Sequence, residues 1–404
     1  MRVFPQEVNV TIDSKIESKT GLFSNASFVQ NLLPGNHFVL IKKDGYYDYQ
    51  KTLGVKGKEV TKLERVVLFK QHIPFTVLED MADHFYMAPN EKNALVVKAA
   101  KDRIDFETLN LANATKSAVS LAIKNADVSN AKWSDDSTNI LIKIQNDYYI
   151  LEPFLATLKI TKVFSPKVKI SQVMLNPQDS SRIFFLENND LYLYKKSAPV
   201  IKDVVVYRIS NNTITWLSRD GFLYTADTQG NFVKKISDKE FLVKTASQYD
   251  LTLALGLVFL QEDTLVWLFD QSSESFKKLY SPVNEIAVSP DGQKILFSSD
   301  KELWYVLPNI DIAKKIPLSK LSNDVSQAQW LGNDYIVFAA KNTIMISEID
   351  ARGNVNTIAL PQKISLSDAS ETILADFQIF FNQQDKKLYV VNQKNLLVSE
   401  KMIP

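Results

Sequence analysis

The sequence contains no cysteine, which excludes disulfides, thiolate metal ligands and a cysteine nucleophile. Its three histidines, His37, His72 and His84, do not stand at metal-ligand spacing. A zinc site would need ligands scattered through the fold. Glycine occurs only 11 times, and none of these residues builds a phosphate-cradling loop. No Gly-x-Ser-x-Gly elbow is found, and no Ser-x-Asp-x-Gly-x-Thr-Trp box. The longest apolar run, Leu251 to Leu260, is about half of what a membrane-crossing helix needs. The opening residues Met1 to Pro5 have no apolar signal core. The chain is read as starting just after a missing anchor or signal, so membrane contact is expected only through that missing segment. Finally, 47 basic residues face 46 acidic ones, for a net charge of +1. Such a balance argues against nucleic acid, which calls for a basic face. Residues 1–70 carry 11 Lys+Arg against 7 Asp+Glu, hence +4, which leaves −3 for the remainder. A solvated face accounts for that shift more simply than an acidic polymer does.

What is present is ordinary globular composition, 45% hydrophobic and 23% charged, arranged in strand-like patterns. Val8, Val10 and Ile12 alternate with Asn9, Thr11 and Asp13, the period of a half-buried strand. Phe38 to Ile41 forms a second strand, entered through Leu33-Pro34-Gly35-Asn36 and left through Lys43-Asp44-Gly45. Both connections have turn chemistry. A third strand is expected over Tyr46 to Leu53 and a fourth over Arg65 to Phe69. Four short strands without a helix predict a small β-sandwich over residues 1–70.

The segments Asn31-Leu32-Leu33-Pro34-Gly35 and Val39 through Tyr47 resemble the core of the PEGA domain. The tetrapeptide that names that family would fall at Pro5-Gln6-Glu7-Val8, where only the proline matches. The resemblance implies a wall- or surface-associated module of a prokaryotic envelope protein, without catalytic residues. Tyr47 and Tyr49, beside Tyr46, are the candidate binding residues, because amphipathic rings stack on carbohydrate. The competing reading puts Tyr46 in the sandwich core and the other two over strands.

From about Ile73 the chain is periodic. The clearest unit runs Ile286-Ala287-Val288, then Ser289-Pro290-Asp291-Gly292, then Ile295-Leu296-Phe297: strand, turn, strand. Related units fall at 85–97, 131–142, 173–186, 207–216, 251–269, 328–338 and 379–391. Eight units over residues 72–404 give a period of about 42 residues, the spacing of four-stranded propeller blades. A closed ring of blades explains such a repeat, because each blade buries its face against the next. The predicted architecture is all-β: the sandwich over 1–70 and a β-propeller of seven or eight four-stranded blades over 71–404. Seven stays open because units 203–245 and 246–280 are poorly marked. Phe75 to Leu78 is expected to supply the outer strand of the last unit. The units resemble TolB-like, WD-type propeller repeats, with a full match only at Ser289-Pro290-Asp291-Gly292.

No residue is predicted to be catalytic, and no cofactor or metal is called for. Ser289-Pro290-Asp291-Gly292 suits turn geometry rather than nucleophilic chemistry. Asp83, Asp135 and Asp136 read as loop carboxylates. Asn188-Asn189-Asp190 reads as a polar turn, with calcium as the alternative. Trp133, Trp216, Trp267, Trp304 and Trp330 are expected to pack between blades, with the lining of a channel mouth as the alternative. The function expected is a non-catalytic module outside the cytoplasm, binding a protein or a cell-surface component. The alternative is an enzyme or a small-ligand or carbohydrate-binding propeller with a site at the channel mouth.

Overall fold

The structure is a computed structural model describing residues 1–21, 26–125, 128–154, 158–166, 168, 170–321, 324–368 and 370–404. Among these residues there is no helix. Two compact units are distinguished, Ala82–Val283 and a unit joining Met1–Met81 to Asn284–Pro404.

The unit Ala82–Val283 holds five antiparallel meanders in which sequence neighbours are hydrogen-bonded neighbours. Sheet 1 comprises His84–Met87, Asn93–Ala99, Ile104–Asn110 and Lys116–Leu121. Sheet 2 comprises Val128–Trp133, Ile140–Ile144, Asp147–Glu152 and Lys159–Phe164. Sheet 3 comprises Ile170–Asn176, Asp179–Glu187 and Asp190–Leu193. Sheet 4 is Val204–Ser210, Thr213–Ser218, Leu223–Asp227 and Lys234–Lys235. Sheet 5 is Tyr249–Ala254, Leu257–Glu262, Leu265–Asp270 and Ser275–Tyr280. The two poorly marked repeats are therefore complete sheets. Sheet 3 departs from the expected four strands. After Leu193 the chain turns through Lys195, at φ 69°, and returns only as an isolated bridge between Leu191 and Ile201. Pro199 precedes that bridge and has no N–H for a ladder.

The other unit holds three meanders of the same kind. Sheet 6 is Glu285–Val288, Ile295–Ser298, Glu302–Leu307 and Asp311–Lys320. Sheet 7 is Val325–Leu331, Tyr335–Ala340, Thr343–Glu348 and Thr357–Ala359. Sheet 8 is Gln378–Phe381, Lys387–Asn392, Asn395–Lys401 and, on its outer edge, Phe75–Glu79. The expected outer strand is thus in place, with Phe75 opposite Ser399 and Val77 opposite Leu397. Middle strands such as Tyr335–Ala340 are buried at every position, which is why they read as continuous apolar runs rather than as alternation.

The turn grammar is physical. At Ser289 the hydroxyl donates to Asp291 (2.5 Å) and accepts the amides of Gln293 and Lys294, while Gly292 takes φ 65°. Ser134-Asp135-Asp136-Ser137 repeats the scheme without proline or glycine. Ser134 donates to Asp136, the Thr138 and Asn139 amides reach Ser134, and Ser137 takes φ 60°. These residues hold turns, as expected.

Side chains on the first strands tie neighbouring sheets of each unit together. The indole N–H of Trp133 donates to the Tyr86 carbonyl (2.9 Å), and that of Trp330 to the Ala287 carbonyl (3.0 Å). Gln327 donates to Phe377 O and accepts the Ile379 amide; Gln329 does the same for Ile379 O and the Phe381 amide. Trp216 stacks on Tyr224 of its own sheet and shares a buried core with Phe184 and Leu186 of sheet 3, while Trp304 stacks on Phe297 of its own sheet. Trp267 meets the ring of Phe241 edge-on.

Residues before Phe75 form a four-stranded antiparallel sheet in the order Ile16–Lys19, Asn9–Ile12, Gly35–Lys42, Tyr49–Val55. Arg65 to Phe69 does not join it. Instead Val66–Val67 pairs in parallel with Val3–Phe4. The sequence reading missed the strands Val3–Phe4 and Ile16–Lys19; the signal for the second is the polar pair Asp13-Ser14, both at positive φ, which suits a hairpin. One core, including Val8, Val10, Ile12, Val39, Ile41, Leu53, Leu63 and Val66, underlies these strands.

Candidate functional site

The edge strand Tyr49–Val55 puts Tyr49, Lys51 and Leu53 on one buried face by its period of two. Lys51 is completely buried. Its ammonium donates to Glu348 Oε1 (2.6 Å), the Asp350 carbonyl (2.6 Å) and the Asn354 carbonyl (3.0 Å). Three acceptors match the three donors of a lysine. Glu348 is also saturated: Oε1 takes the amide and the side-chain N–H of Asn356, and Oε2 takes the Tyr49 hydroxyl (2.8 Å). Burial and the neighbouring Glu348 carboxylate both push the Tyr49 pKa far up, so the hydroxyl stays a donor.

The same segment covers the open edge of the N-terminal sheet. The Gln50 amide donates to Asn356 Oδ1, the Thr52 amide to Asn354 Oδ1, and Asn354 Nδ2 to the Gln50 carbonyl. Two asparagine side chains thus do what a further strand would do for an exposed edge. Farther along, Tyr47 donates to the Ala359 carbonyl (2.9 Å). Arg65 pairs with Asp334, Lys70 pairs with Glu400, and the Val67 amide donates to Tyr335. Both candidate tyrosines therefore lie against sheet 7: Tyr49 is buried in the carboxylate network, and Tyr47 is half-buried beside Ile358 and Leu360. Tyr46 packs on the N-terminal core.

On residues 1–64 the structure shows a groove of about 650 Å³. Ile12, Val39, Leu53 and Leu63 line its apolar floor, and Phe28 and Val60 stand at its rims, 71% and 72% exposed. Arg2, Lys56, Lys58 and Lys62 line it with Glu59 and Glu64. His37, on its wall, has both ring nitrogens engaged: Nδ1 by Asp13 (2.6 Å) and Nε2 by the Leu33 carbonyl (2.7 Å). Two acceptors are satisfied together only when both nitrogens carry a proton. The Leu33 carbonyl and then Asp13 accordingly raise His37 above its ordinary 6.5, and His37 and the Phe38 amide lower Asp13 below its ordinary 3.8. The raised histidine contributes stability below pH 6.5 that is lost as pH rises through its folded pKa. The lowered aspartate contributes above pH 3.8 and loses it as pH falls. The corner is therefore firmest between these values and loosens on the alkaline side. An NMR titration is expected to place the His37 pKa above 6.5 and to return it toward 6.5 in Asp13→Asn; equal titration curves for the two proteins would contradict this coupling.

The remaining sequence candidates have local roles. Asn188 and Asn189 take φ 52° and 66° in the hairpin joining Glu187 to Asp190, the geometry of a polar turn. Burial pushes the Asp136 carboxyl up, but hydrogen bonds from Ser134, Thr138 and Ser180 outweigh it and hold the group low. Asp83 accepts the Ala99 amide. Among the described residues no group of three or more acidic or histidine side chains is placed to hold a metal ion. In the unit Ala82–Val283, Lys132 is exposed as a residue, yet protein crowds its ammonium. Burial and Arg208 lower its pKa, while Asp135 and Asp250 oppose them.

No protein-family model matches the chain, and no curated protein matches it. Solved structures do. The Dos1 propeller superposes with a TM-score of 0.54 at 13% identity, over 81% of this chain and 94% of that one. A eukaryotic initiation factor superposes with a TM-score of 0.51 at 10% identity, over 85% and 86% of the two chains. Hsv2p of Kluyveromyces lactis matches at 14% identity over 71% of this chain and 98% of its own, with a TM-score of 0.44. At such identities the likeness concerns fold alone, and the likeness to the Dos1 propeller, together with the repeated antiparallel meanders, gives this chain a β-propeller fold.

Proposed function

We propose that the protein is a non-catalytic binding module in which the propeller, over residues 71–404, is a platform for a PEGA-like sandwich over residues 1–70, and that it recognises a protein or a cell-surface component. The observation that carries this reading is the groove on residues 1–64: an apolar floor open to solvent, with large apolar side chains exposed at both rims. Exposed apolar surface of that kind marks interaction sites. The polar network around Lys51 supports it, because a sheet edge locked in this way presents its other features in fixed geometry. A place outside the cytoplasm, in a prokaryotic envelope, rests on the sequence resemblance. The test is retention of partners from a cell-envelope extract by the immobilised full chain. A protein or wall component retained in proportion to the bait and released by free chain is the expected outcome. Turnover of an envelope polymer by the purified chain would overturn the non-catalytic reading.

A further inference from the structure

We infer that the groove on residues 1–64 takes an extended acidic segment of a partner protein as an added strand; this rests on the binding reading above and names its ligand class. Two observations converge on it. The first is backbone chemistry. Residues Phe28 to Leu32 and Val60 to Lys62 run along the groove outside any strand. Among the described residues, the main-chain amides and carbonyls of these two stretches have no hydrogen-bond partner in the protein. Such groups at the side of an open groove are what an incoming extended chain pairs with, while apolar positions under it accept alternate side chains. The floor of Ile12, Val39 and Leu53 and the exposed rims Phe28 and Val60 supply those positions.

The second observation is charge. Lys56 sits 4.0 Å from Glu59. Arg2, Lys58 and Lys62 have no carboxylate partner among the described residues, and the remaining acid on the groove is Glu64. The excess cations lie beside the exposed apolar residues, so the complementary ligand alternates apolar side chains with carboxylates. A basic segment would meet repulsion along the same wall, which makes charge the selective element.

The experiment uses the full chain and fluorescent, end-capped eight-residue peptides of alternating valine and glutamate, with the lysine counterpart and a version N-methylated at every second residue. Anisotropy is expected to show the glutamate peptide binding roughly tenfold or more tightly than the lysine peptide, as two or three partly exposed charge pairs would give. N-methylation should abolish binding, because it removes the donors that a strand contributes. K58E/K62E should reverse the charge preference, and V60D should weaken both peptides. All three substituted positions are on the exposed loop or its rim, and unchanged thermal melting checks that the fold is intact. Equal binding of the two charges, or binding untouched by K58E/K62E or by N-methylation, would overturn the inference. Envelope extract applied to wild type and K58E/K62E separates the two readings. Identical retention of the same partner by both proteins removes the groove as the site but keeps the binding module. No retention by either removes both.

Discussion

Replacing Lys51 with methionine is expected to destabilise the protein by about 3–5 kcal/mol, a large share of the roughly 5–15 kcal/mol that holds a domain together. The reasoning is one of asymmetry. With its ammonium present, Glu348 is surrounded by donors from Lys51, Asn356 and Tyr49. Without it, a carboxylate only 5% exposed on its side chain loses its counter-ion, and the carbonyls of Asp350 and Asn354 lose their donor. Glu348→Gln is expected to cost less than Lys51→Met, because the amide oxygen still accepts from Asn356 or Tyr49. The double replacement Lys51→Met with Glu348→Leu should recover only part of the loss, since it leaves the Tyr49 hydroxyl and the Asn356 amide unpaired. Denaturant unfolding of these variants, with Glu348→Leu alone added to close the double-mutant cycle, measures all of this. A Lys51→Met cost below about 1 kcal/mol would mean that water reaches the site and that the pair is a surface pair in its energetics.

That network shows where sequence reading reaches and where it stops. The Ser-Pro-Asp-Gly turn, its degenerate copy at Ser134 and the outer strand at Phe75 were legible because each is local: a few adjacent residues set φ, supply an Asx or hydroxyl acceptor, or repeat a pattern at fixed spacing. The three-stranded form of sheet 3 was marked by Pro199 but hidden by the expectation of regular blades. Lys51 and Glu348 are 297 positions apart, and nothing near either one names the other. One local sign did exist. In Tyr49-Gln50-Lys51-Thr52-Leu53 the lysine shares a face with two core residues, and a lysine at a buried strand position requires an acceptor somewhere. The sign asks for a partner without identifying it. Tyr47 and Tyr49 were read as exposed aromatics or strand covers for the same reason: the surface that meets them is built from residues 348–360, at the far end of the chain. The groove was illegible because its free main-chain groups are a property of what does not pair.

Gly353→Ala should separate the contribution of this docked edge from that of the ion pair, at a cost of about 2–4 kcal/mol. Gly353 takes φ 65°, and a Cβ built on it would overlap the carbonyl oxygen of Thr52. Two penalties add. The left-handed conformation disfavours any residue with a side chain by about 1 kcal/mol, and the overlap falls on main chain rather than on a side chain that can rotate away. The loop must retreat, and Asn354 retreats with it, so the Thr52 amide and the Gln50 carbonyl lose the partner that closes the sheet edge. Glu348 lies on the strand Thr343–Glu348, outside this loop, so the Lys51 to Glu348 bond is expected to survive while the capping bonds do not. Hydrogen exchange distinguishes the cases. In Gly353→Ala the amide of Thr52 should lose more protection than the Phe38 amide opposite it, which is held by Asp13 and follows only the overall loss of stability. In Lys51→Met both should accelerate together as the whole unit loses stability. Equal protection of Thr52 in Gly353→Ala and the parent would show that the loop accommodates a methyl group, and that the asparagines hold the edge by something other than the close approach of Gly353.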